Sequence, residues 1–469
     1  MYQKQQRVET EGGETLSQQI DLLVIGGGPA GYAGAIRARH LGKSVVVVEK
    51  SSVGGTCLNR GCIPTKALLE SAHFYGSLAS AKTHGVSLEI QDLDYSQVVK
   101  NKDQVVERLV DGLKFLLDKK EIRVIKGEAR FLSSTEVQVG DEIFKPDNIL
   151  VATGTVPFEL PNLAIDGERV VDSDQLLDRD SLPKSLVIVG GGVIGCEFAT
   201  VFASYGVQVT IVELMPQILP PEDAEISQTL TREFKKRKIK VLTGAKVERL
   251  RHESDHVVVE VDQKGRTLEL ETELVLVSVG RKAVLPKGFP AEVDARGYVV
   301  VDGKYRSSVP HIYAAGDIIG GMQLAHLAFE EGWSAVNNMA GEPARNEWFV
   351  PSCVYTTPEI ASVGLTEEKA KEQYGEVLTA KYSLKGNGRA VIAGQDSGFV
   401  KFVASTDGVV RGVHIIGPQA TELISGATVA LEQGLTLQEW AEVVYPHPTV
   451  SESIKEAVLS GLGIGLHSL

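Results

Sequence analysis

Two stretches of the sequence, IDLLVIGGGPAG at residues 20–31 and KSLVIVGGGVIG at residues 184–195, share one plan. In each, a short apolar run typical of a buried parallel strand leads into the pattern G-x-G-x-x-G. The glycines are Gly26, Gly28 and Gly31 in the first stretch and Gly190, Gly192 and Gly195 in the second. At the middle glycine the bare backbone can approach a pyrophosphate, which then lies at the N-terminus of the following helix. The sequence therefore predicts two phosphate cradles.

An acidic residue follows each cradle at the same distance. Glu49 in SVVVVEK and Glu213 in VQVTIVEL each lie 23 residues after the first glycine of their cradle. An acid at the end of the second strand suits a ribose with free hydroxyl groups, so each cradle is predicted to bind a dinucleotide. Two tight turns without a ligand are the alternative, but strand, turn, helix and acid coincide twice. No arginine follows Glu213 to hold a 2′-phosphate, which favours NAD over NADP at the second cradle.

Two of the four cysteines of the chain stand close together in GGTCLNRGCIPTK, residues 54–66. Cys57 and Cys62 are separated by a short loop, and Pro64 fits the first turn of a helix, so Cys62 is predicted beside a helix N-terminus that favours a thiolate. Lys66 projects from about the same side of that helix. A structural disulfide is the alternative, but closing so short a loop removes little entropy from the unfolded chain. A redox function explains the spacing of the two cysteines better. FAD can exchange electrons with a thiol pair and is therefore predicted at the first cradle.

The composition indicates an ordinary globular chain. The chain has 469 residues and a net charge of -13, and this charge argues against a general affinity for nucleic acid or anionic membrane. Residues 1–19 are polar and lack the apolar core of a signal peptide, which predicts a disordered lead-in and a cytoplasmic protein. Residues 186–203 are apolar enough to raise the question of a membrane span, but they contain four glycines and Glu197 and match the second cradle.

For Cys196, Cys353 and Glu197, structural roles are considered beside functional ones. Cys196 and Cys353 lie in apolar sequence and are predicted to be buried and inert. No cluster of cysteine and histidine has the spacing of a structural zinc site, so no metal is predicted. Glu197 lies on an otherwise apolar helix, where a buried carboxylate needs a cation, and Lys66 is the candidate partner. A partly exposed helix glutamate is the alternative for Glu197.

From about Gln19 to the C-terminus, the chain resembles the flavoprotein disulfide reductases. The resemblance rests on the cysteine stretch, both cradles, ILVATGT (149–155), VSVGRK (277–282), IYAAGD (312–317) and YPHPTVSE (445–452). It implies an α/β fold with two Rossmann-like domains, for FAD and NAD, and a C-terminal α+β dimerisation domain. The implied divisions are an FAD-binding domain at 20–158, an NAD-binding domain at 159–285, a central domain returning to FAD at 286–350 and an interface domain at 351–469.

The resemblance also implies a set of site residues. The catalytic set is Cys57, Cys62, Lys66, Glu197, His447 and Glu452. The residues implied for FAD are Gly26, Gly28, Gly31, Glu49, Gly55, Thr56, Lys66, Gly127, Ala129, Thr153, Gly154, Asp317, Met322, Ala325 and His326. Those implied for NAD are Gly190, Gly192, Gly195, Glu213, Val247 and Gly280.

Within the family, the chain is most similar to the members that oxidise dihydrolipoamide. Its last residues, GLGIGLHSL, lack the extra cysteines of mercuric reductases and large thioredoxin reductases, and Ile36 stands where glutathione reductases have an arginine. The resemblance implies that His447 of one subunit, oriented by Glu452, deprotonates dihydrolipoamide, whose thiolate attacks Cys57 of the other subunit. Electrons then pass through Cys62 and FAD to NAD.

The implied assembly is a homodimer served by a lipoyl-bearing protein of a 2-oxoacid or acetoin dehydrogenase or of a glycine cleavage complex. Arg60 and Tyr445 depart from the family pattern and are expected to alter pH dependence or flavin potential. Two alternatives stay open: another NAD(P)H-dependent disulfide or mercuric reductase, and a catalytically silent flavin-bound interaction subunit.

Overall fold

The computed structural model of the chain describes residues 17–467. The chain forms two compact units, the first built from residues up to 67, 97–158 and 280–347, and the second from 68–96, 159–279 and 348 onward. The predicted lead-in at 1–19 lies mostly outside the described residues. Its last three residues belong to the first strand, which begins at Ser17. The predicted boundary at residue 19 was therefore too late, because Ser17–Gln19 pair with a neighbouring strand instead of remaining irregular.

The strands between residues 17 and 467 are, in chain order, β1 (Ser17–Ile25), β2 (Val45–Glu49), β3 (Arg123–Lys126), β4 (Ala129–Phe131), β5 (Val137–Val139), β6 (Glu142–Val151), β7 (Thr155–Pro157), β8 (Val170–Val171), β9 (Ser185–Val189), β10 (Gln208–Glu213), β11 (Lys240–Thr243), β12 (Ala245–His252), β13 (Val257–Gln263), β14 (Arg266–Thr272), β15 (Leu274–Val277), β16 (Arg281–Ala283), β17 (Ile312–Ala314), β18 (Ser352–Val354), β19 (Glu359–Gly364), β20 (Val377–Ser383), β21 (Phe399–Ser405) and β22 (Val410–Gly417).

The α-helices of the same range are α1 (Pro29–His40), α2 (Gly55–Arg60), α3 (Cys62–Ser77), α4 (Tyr95–Lys119), α5 (Ser173–Leu177), α6 (Val193–Ser204), α7 (Ala224–Lys236), α8 (Ala325–Ala340), α9 (Glu367–Tyr374), α10 (Gly388–Ile392), α11 (Ala420–Glu432), α12 (Leu437–Ala441) and α13 (Glu452–Gly461). Short 3₁₀ helices span Leu78–His84, Asp317–Ile319 and Leu384–Gly386. None of the helices described is both long enough and apolar enough to cross a membrane.

The first unit is built on one large sheet. Its strands follow the order β3-β2-β1-β6-β5-β4, and β17 pairs with β6. β3, β2, β1, β6 and β17 run parallel to one another, and β5 joins β6 antiparallel. Leu23 of β1 lies opposite Ile149 of β6 in a core in which both are fully buried. The four valines at 45–48 are buried as well. Such an uninterrupted apolar run is what a central parallel strand covered on both faces requires.

The second unit contains a second parallel sheet and two antiparallel sheets. The parallel sheet has the order β11-β10-β9-β15-β8, and an antiparallel sheet β12-β13-β14 belongs to the same sequence segment. The C-terminal segment forms the antiparallel sheet β18-β19-β22-β21-β20, whose core includes residues of α11, α12 and α13. These sheets confirm the predicted α/β fold with two Rossmann-like domains and a C-terminal α+β domain. The finer division into four domains stays a proposal.

Candidate active site

The first cradle joins β1 to α1 and is shaped by its glycines. A Cβ at Gly26 would collide with the carbonyl oxygen of Ala152, and a Cβ at Gly31 would collide with the carbonyl oxygen of Gly26. Gly26 also has a φ of 104°, which favours glycine. Gly28 is different, since the nearest atom to a Cβ there is the Cα of Gly55 at 3.7 Å. The outer glycines therefore serve close packing, and the middle one leaves the space that a pyrophosphate needs at the N-terminus of α1.

The second cradle, between β9 and α6, repeats this arrangement. A Cβ at Gly190 would collide with the carbonyl oxygen of Ser278, and one at Gly195 with that of Gly190. Apart from the glycine itself and its two chain neighbours, no atom of the described structure lies within 4 Å of the Cβ position at Gly192. The two cradles thus have the same open middle position, as their sequences predicted.

The acids that follow the cradles are held in the same way. Glu49 accepts hydrogen bonds from the backbone N–H groups of Gly27 (2.8 Å) and Ser51 (2.8 Å). Glu213 accepts them from Gly191 (2.6 Å) and Met215 (2.7 Å). Each carboxylate is thereby fixed beside its glycine loop, where each oxygen keeps a further lone pair for a ribose hydroxyl.

The cysteine stretch is helical where the sequence predicted a loop. Cys57 lies in α2, which ends at Arg60, and α3 begins at Cys62 after a single residue, Gly61. The side-chain amide of Asn59 donates to the carbonyl oxygens of Val53 (3.0 Å) and Gly55 (2.9 Å), which stabilises this short helix. A Cβ at Gly55 would lie 2.7 Å from the Cα of Gly28, so α2 is seated directly on the first cradle.

Cys57 and Cys62 are both thiols in this structure and are hydrogen-bonded to each other. This hydrogen bond, followed by burial and by the charge of Cys62, raises the pKa of Cys57, whereas the charge of Lys66 lowers it. Burial and the nearby Cys57 raise the pKa of Tyr32 to about 12. Cys62 is the first residue of α3, where the positive end of the helix dipole favours a thiolate. The predicted dithiol is therefore assembled, with Lys66 beside it.

Asp317 is tied to the cysteine helix by a chain of hydrogen bonds. Its carboxylate accepts from the hydroxyl of Thr155 (3.0 Å), and Arg281 donates to that hydroxyl (2.8 Å) and to the carbonyl of Thr155 (2.9 Å). Arg281 also reaches the hydroxyl of Thr56 at 3.5 Å. Burial raises the pKa of Asp317, although Thr155 and Arg281 oppose this.

Glu331 is a second buried carboxyl beside Asp317. It accepts a hydrogen bond from the backbone N–H of Gly316 at 2.8 Å. Burial and the charge of Asp317 raise the pKa of Glu331 to about 7, against the opposing effect of the Gly316 bond.

The other residues predicted for FAD lie along the same unit. Gly127 donates its N–H to the carbonyl of Glu49 (3.0 Å), and Ala129 begins β4. The hydroxyl of Thr153 donates to the carbonyl oxygen of Val284 (2.6 Å), and the carbonyl oxygen of Gly154 accepts from the N–H of Val284 (3.0 Å). The remaining predicted FAD residues are the exposed Met322, Ala325 at the start of α8, and the exposed His326.

Two residues predicted for NAD, Val247 and Gly280, lie outside the second cradle and differ in their surroundings. The side chain of Val247 is buried in the core of the second unit. Gly280 lies at the beginning of the last segment of the first unit and has open space at its Cβ position.

Glu197 is buried in α6, not partly exposed, and is 3% exposed. One of its carboxylate oxygens accepts the backbone N–H of Tyr355 at 3.0 Å. Its pairing with Lys66 stays a prediction.

Burial raises the pKa of Cys196, which is fully buried as predicted. Cys353 is only partly buried, which corrects the prediction for that thiol, because its strand β18 leaves it partly uncovered.

His447 and Glu452 meet as the sequence predicted. The Nδ1 atom of His447 lies 2.7 Å from a carboxylate oxygen of Glu452, and the other oxygen accepts the N–H of Thr449 at 2.9 Å. Burial opposes ionisation of Glu452, but the bonds from Thr449 and His447 prevail and lower its pKa. The His447 side chain is 80% exposed. The imidazole is therefore oriented through Nδ1 and presents Nε2 outward.

Comparison with known proteins decides the family. Residues 20–332 match the pyridine nucleotide-disulphide oxidoreductase family, and residues 350–458 match its dimerisation domain. The chain belongs to the pyridine nucleotide-disulphide oxidoreductases. This confirms the resemblance seen in the sequence, and the dimerisation domain supports a homodimer.

Individual members of the family resemble the chain along nearly its whole length. A dihydrolipoyl dehydrogenase of Bacillus subtilis is 40% identical over 470 residues, which cover 96% of this chain and 100% of the relative. The structure of LpdA from Mycobacterium tuberculosis matches with a TM-score of 0.87 at 29% identity, covering 94% of this chain and 99% of that one. The HOCl-induced flavoprotein disulfide reductase RclA of Escherichia coli matches with a TM-score of 0.83 at 27% identity, covering 93% and 99%.

As a pyridine nucleotide-disulphide oxidoreductase, the chain uses FAD and NAD. The open positions at Gly28 and Gly192 fit the pyrophosphates of two such dinucleotides. FAD at the first cradle and NAD at the second stay our assignment.

Three site residues were missed by the sequence reasoning. Arg281 and Thr155 lie inside the motifs VSVGRK and ILVATGT, which were noted without assigning these two side chains. Glu331 is a charged residue on a helix face that is otherwise buried, which is the same signal that drew attention to Glu197. A search for charged or hydroxyl residues at the ends of the quoted motifs would have found all but the helix glutamate.

Proposed function

We propose that the chain is a dihydrolipoyl dehydrogenase, which oxidises dihydrolipoamide carried by a partner protein and reduces NAD⁺. The observation that carries this proposal is the Cys57–Cys62 dithiol seated on the first cradle beside Lys66. The relative from Bacillus subtilis at 40% identity bears the same name, which supports the choice among disulfide reductases.

The proposed roles of the residues follow from their contacts. His447 Nε2 accepts the proton of a substrate thiol, and Glu452 holds the imidazole through Nδ1. The substrate thiolate attacks Cys57 in the Cys57–Cys62 disulfide, forming a mixed disulfide and releasing Cys62 as a thiolate at the N-terminus of α3. The second substrate thiol then displaces Cys57, which takes up the proton of that thiol, and His447 releases the first proton to solvent. This yields lipoamide and the reduced cysteine pair.

The two electrons and one proton gained by the cysteines must leave before the next turnover. Bound FAD supplies the electron transfer from the dithiol to NAD⁺, which takes up a hydride. Lys66 stabilises the thiolate next to the cradle, and the Thr56–Arg281–Thr155–Asp317 chain holds α2 against the Gly316–Asp317 turn. These protein groups position the reacting sulfurs and balance their charge.

The proposal also covers the subunit arrangement, the partner protein and the cellular location of the enzyme. The exposed His447 suits a base that serves the partner subunit of the homodimer. The lipoyl group belongs to a protein of a 2-oxoacid or acetoin dehydrogenase or of a glycine cleavage complex. A cytoplasmic location agrees with a dithiol that is reduced and reoxidised during turnover.

Single substitutions in the dithiol test this function. Cys57→Ser and Cys62→Ser are each expected to lower NADH formation from dihydrolipoamide by at least about a thousandfold, since each removes a sulfur that forms a covalent bond. FAD content, measured from the flavin absorbance per chain, is expected to stay at the wild-type level because the thiols do not anchor the cofactor.

The matched control is Cys353→Ser, which removes a partly buried thiol outside the dithiol and is expected to leave turnover within about twofold. Dihydrolipoamide oxidation near the wild-type rate in either Cys57→Ser or Cys62→Ser would refute the proposed function.

A further inference from the structure

The loop of residues 214–222 connects Glu213, at the end of β10, with helix α7 and returns to the second cradle on its way. The backbone N–H of Leu219 donates to the carbonyl oxygen of Gly191 at 2.8 Å. The N–H of the same glycine donates to Glu213 at 2.6 Å. The N–H and the carbonyl oxygen of Gly191 are thus bound by Glu213, just before the loop, and by Leu219, within it. The conformation of the loop and that of the cradle are therefore fixed together.

The far end of the loop is fastened to the C-terminal sheet. Glu222 is 7% exposed, and its two carboxylate oxygens accept hydrogen bonds from the hydroxyls of Ser352 (3.0 Å) and Ser362 (2.6 Å). These serines are direct neighbours across the antiparallel pair of β18 and β19. One buried carboxylate therefore bridges two strands of the sheet and leaves both of its oxygens satisfied.

The next residue strengthens this attachment. Asp223 begins α7 as its N-cap and forms an ion pair with Lys401 at 3.1 Å. Lys401 lies on β21 with a side chain 3% exposed, and it also pairs with Glu225 (2.9 Å) and Glu367 (2.7 Å). Removing Lys401 would leave several carboxylates without their shared cation, which is strongly destabilising in a buried site. Removing the serine hydroxyl groups that donate to Glu222 is expected to destabilise the protein less than removing Lys401.

We propose that Glu222 is a positioning residue for NAD: the serines of β18 and β19 hold it, and it holds loop 214–222 and the second cradle in the shape that receives the dinucleotide. The inference rests on the proposed function only for the identity of the nucleotide. Its consequence is that NAD affinity depends on the strands of the dimerisation domain, although Ser352 and Ser362 lie more than a hundred residues beyond Glu222 in sequence.

The test measures the affinity of the oxidised FAD holoenzyme for NAD⁺ by titration calorimetry. The double variant Ser352→Ala with Ser362→Ala, and separately Glu222→Ala, are expected to raise the Kd of NAD⁺ at least about tenfold, since each removes both bonds to the loop. Glu222→Gln is expected to retain affinity within about threefold, because an amide can bond both hydroxyls. Flavin reduction by dihydrolipoamide without NAD⁺ is expected to stay within about twofold of wild type, since that step does not use the second cradle.

The matched control is Ser397→Ala. Ser397 donates its hydroxyl to Glu233 at 2.7 Å and so makes the same kind of contact to α7, but near the other end of that helix. It is expected to leave the NAD⁺ Kd unchanged. Wild-type affinity in the double serine variant, or an equal loss in Ser397→Ala, would overturn the inference. A wild-type flavin that dihydrolipoamide fails to reduce would instead refute the proposed function, while the NAD⁺ titration would still decide the inference.

Discussion

Glu213 and Glu331 show how the hydrogen bonds around a single buried residue decide what its carboxyl group does. Both side chains are largely buried, 7% and 9% exposed. Glu213 accepts two backbone N–H groups. Glu331 accepts one, lies near the charge of Asp317, and has a pKa raised to about 7 by burial first and by Asp317 second. Glu213 thus keeps the remaining lone pairs of its oxygens for ribose hydroxyl groups, whereas the pKa of Glu331 lies within the physiological range.

The first prediction concerns the pH dependence that Glu331 gives to stability. Because the pKa of Glu331 is raised in the folded protein from 4.5 to about 7, the folded state binds the proton more tightly than the unfolded state. Its contribution is favourable below pH 4.5 and is lost as the pH rises to about 7, a change of about 3 kcal/mol. Glu331→Gln accepts the Gly316 bond without titrating, so its Tm relative to wild type is expected to rise between pH 5 and pH 8.

The measurement is a set of melting curves of the FAD holoenzyme across this range. The control is Glu330→Gln, which changes an exposed neighbour of the same helix and is expected to follow the wild-type curve at every pH. Parallel melting profiles for Glu331→Gln and wild type would show that Glu331 does not titrate in this window.

At the scale of single elements, the sequence predicted the elements that a local residue pattern determines and missed those that depend on contacts between distant segments. Both cradles were found because strand, glycine pattern, helix and acid follow one another within one short segment. Helix α2 was missed because glycines flank a stretch of six residues, and its stability comes from Asn59 and from the contact of Gly55 with Gly28, which sequence patterns do not display. The Arg281–Thr155–Asp317 chain was missed because its members come from three distant segments.

The second prediction tests the cradle as an element. Gly192 has a φ of -75° and open space at its Cβ position, so Gly192→Ala is expected to fold with a free energy of unfolding within about 0.5 kcal/mol of wild type. The added methyl group occupies the place where the backbone must approach the pyrophosphate, so the KM for NAD⁺ is expected to rise at least about tenfold.

The contrasting variant is Gly195→Ala, whose Cβ would collide with the carbonyl oxygen of Gly190 and is expected to lower stability itself. Steady-state kinetics and chemical unfolding of both variants check the prediction. An unchanged KM for NAD⁺ in a well-folded Gly192→Ala would show that the open middle position is not where the pyrophosphate lies.

At the scale of the whole molecule, the chemistry is divided between the two compact units of the chain. The dithiol and Asp317 belong to the first unit, and His447 and Glu452 belong to the second. His447 is oriented by Glu452 yet is 80% exposed in the single chain. Together with the dimerisation domain at residues 350–458, this supports an active site completed by the partner subunit. From the sequence, the contribution of His447 to the partner's dithiol was expected only through the motif YPHPTVSE and the family resemblance. No local pattern shows that two distant segments lie together.

The most direct test of the proposed composite site mixes two inactive variants, Cys57→Ser and His447→Gln, under conditions that exchange subunits. In a heterodimer one site carries both defects and the other carries neither, because its intact cysteine and its intact histidine come from different chains. Statistical pairing predicts that dihydrolipoamide oxidation returns to up to about a quarter of the wild-type rate. Activity that stays at the level of the parent variants despite proven exchange would contradict the account, because it would place the base in the same chain as the dithiol or exclude His447 as the base.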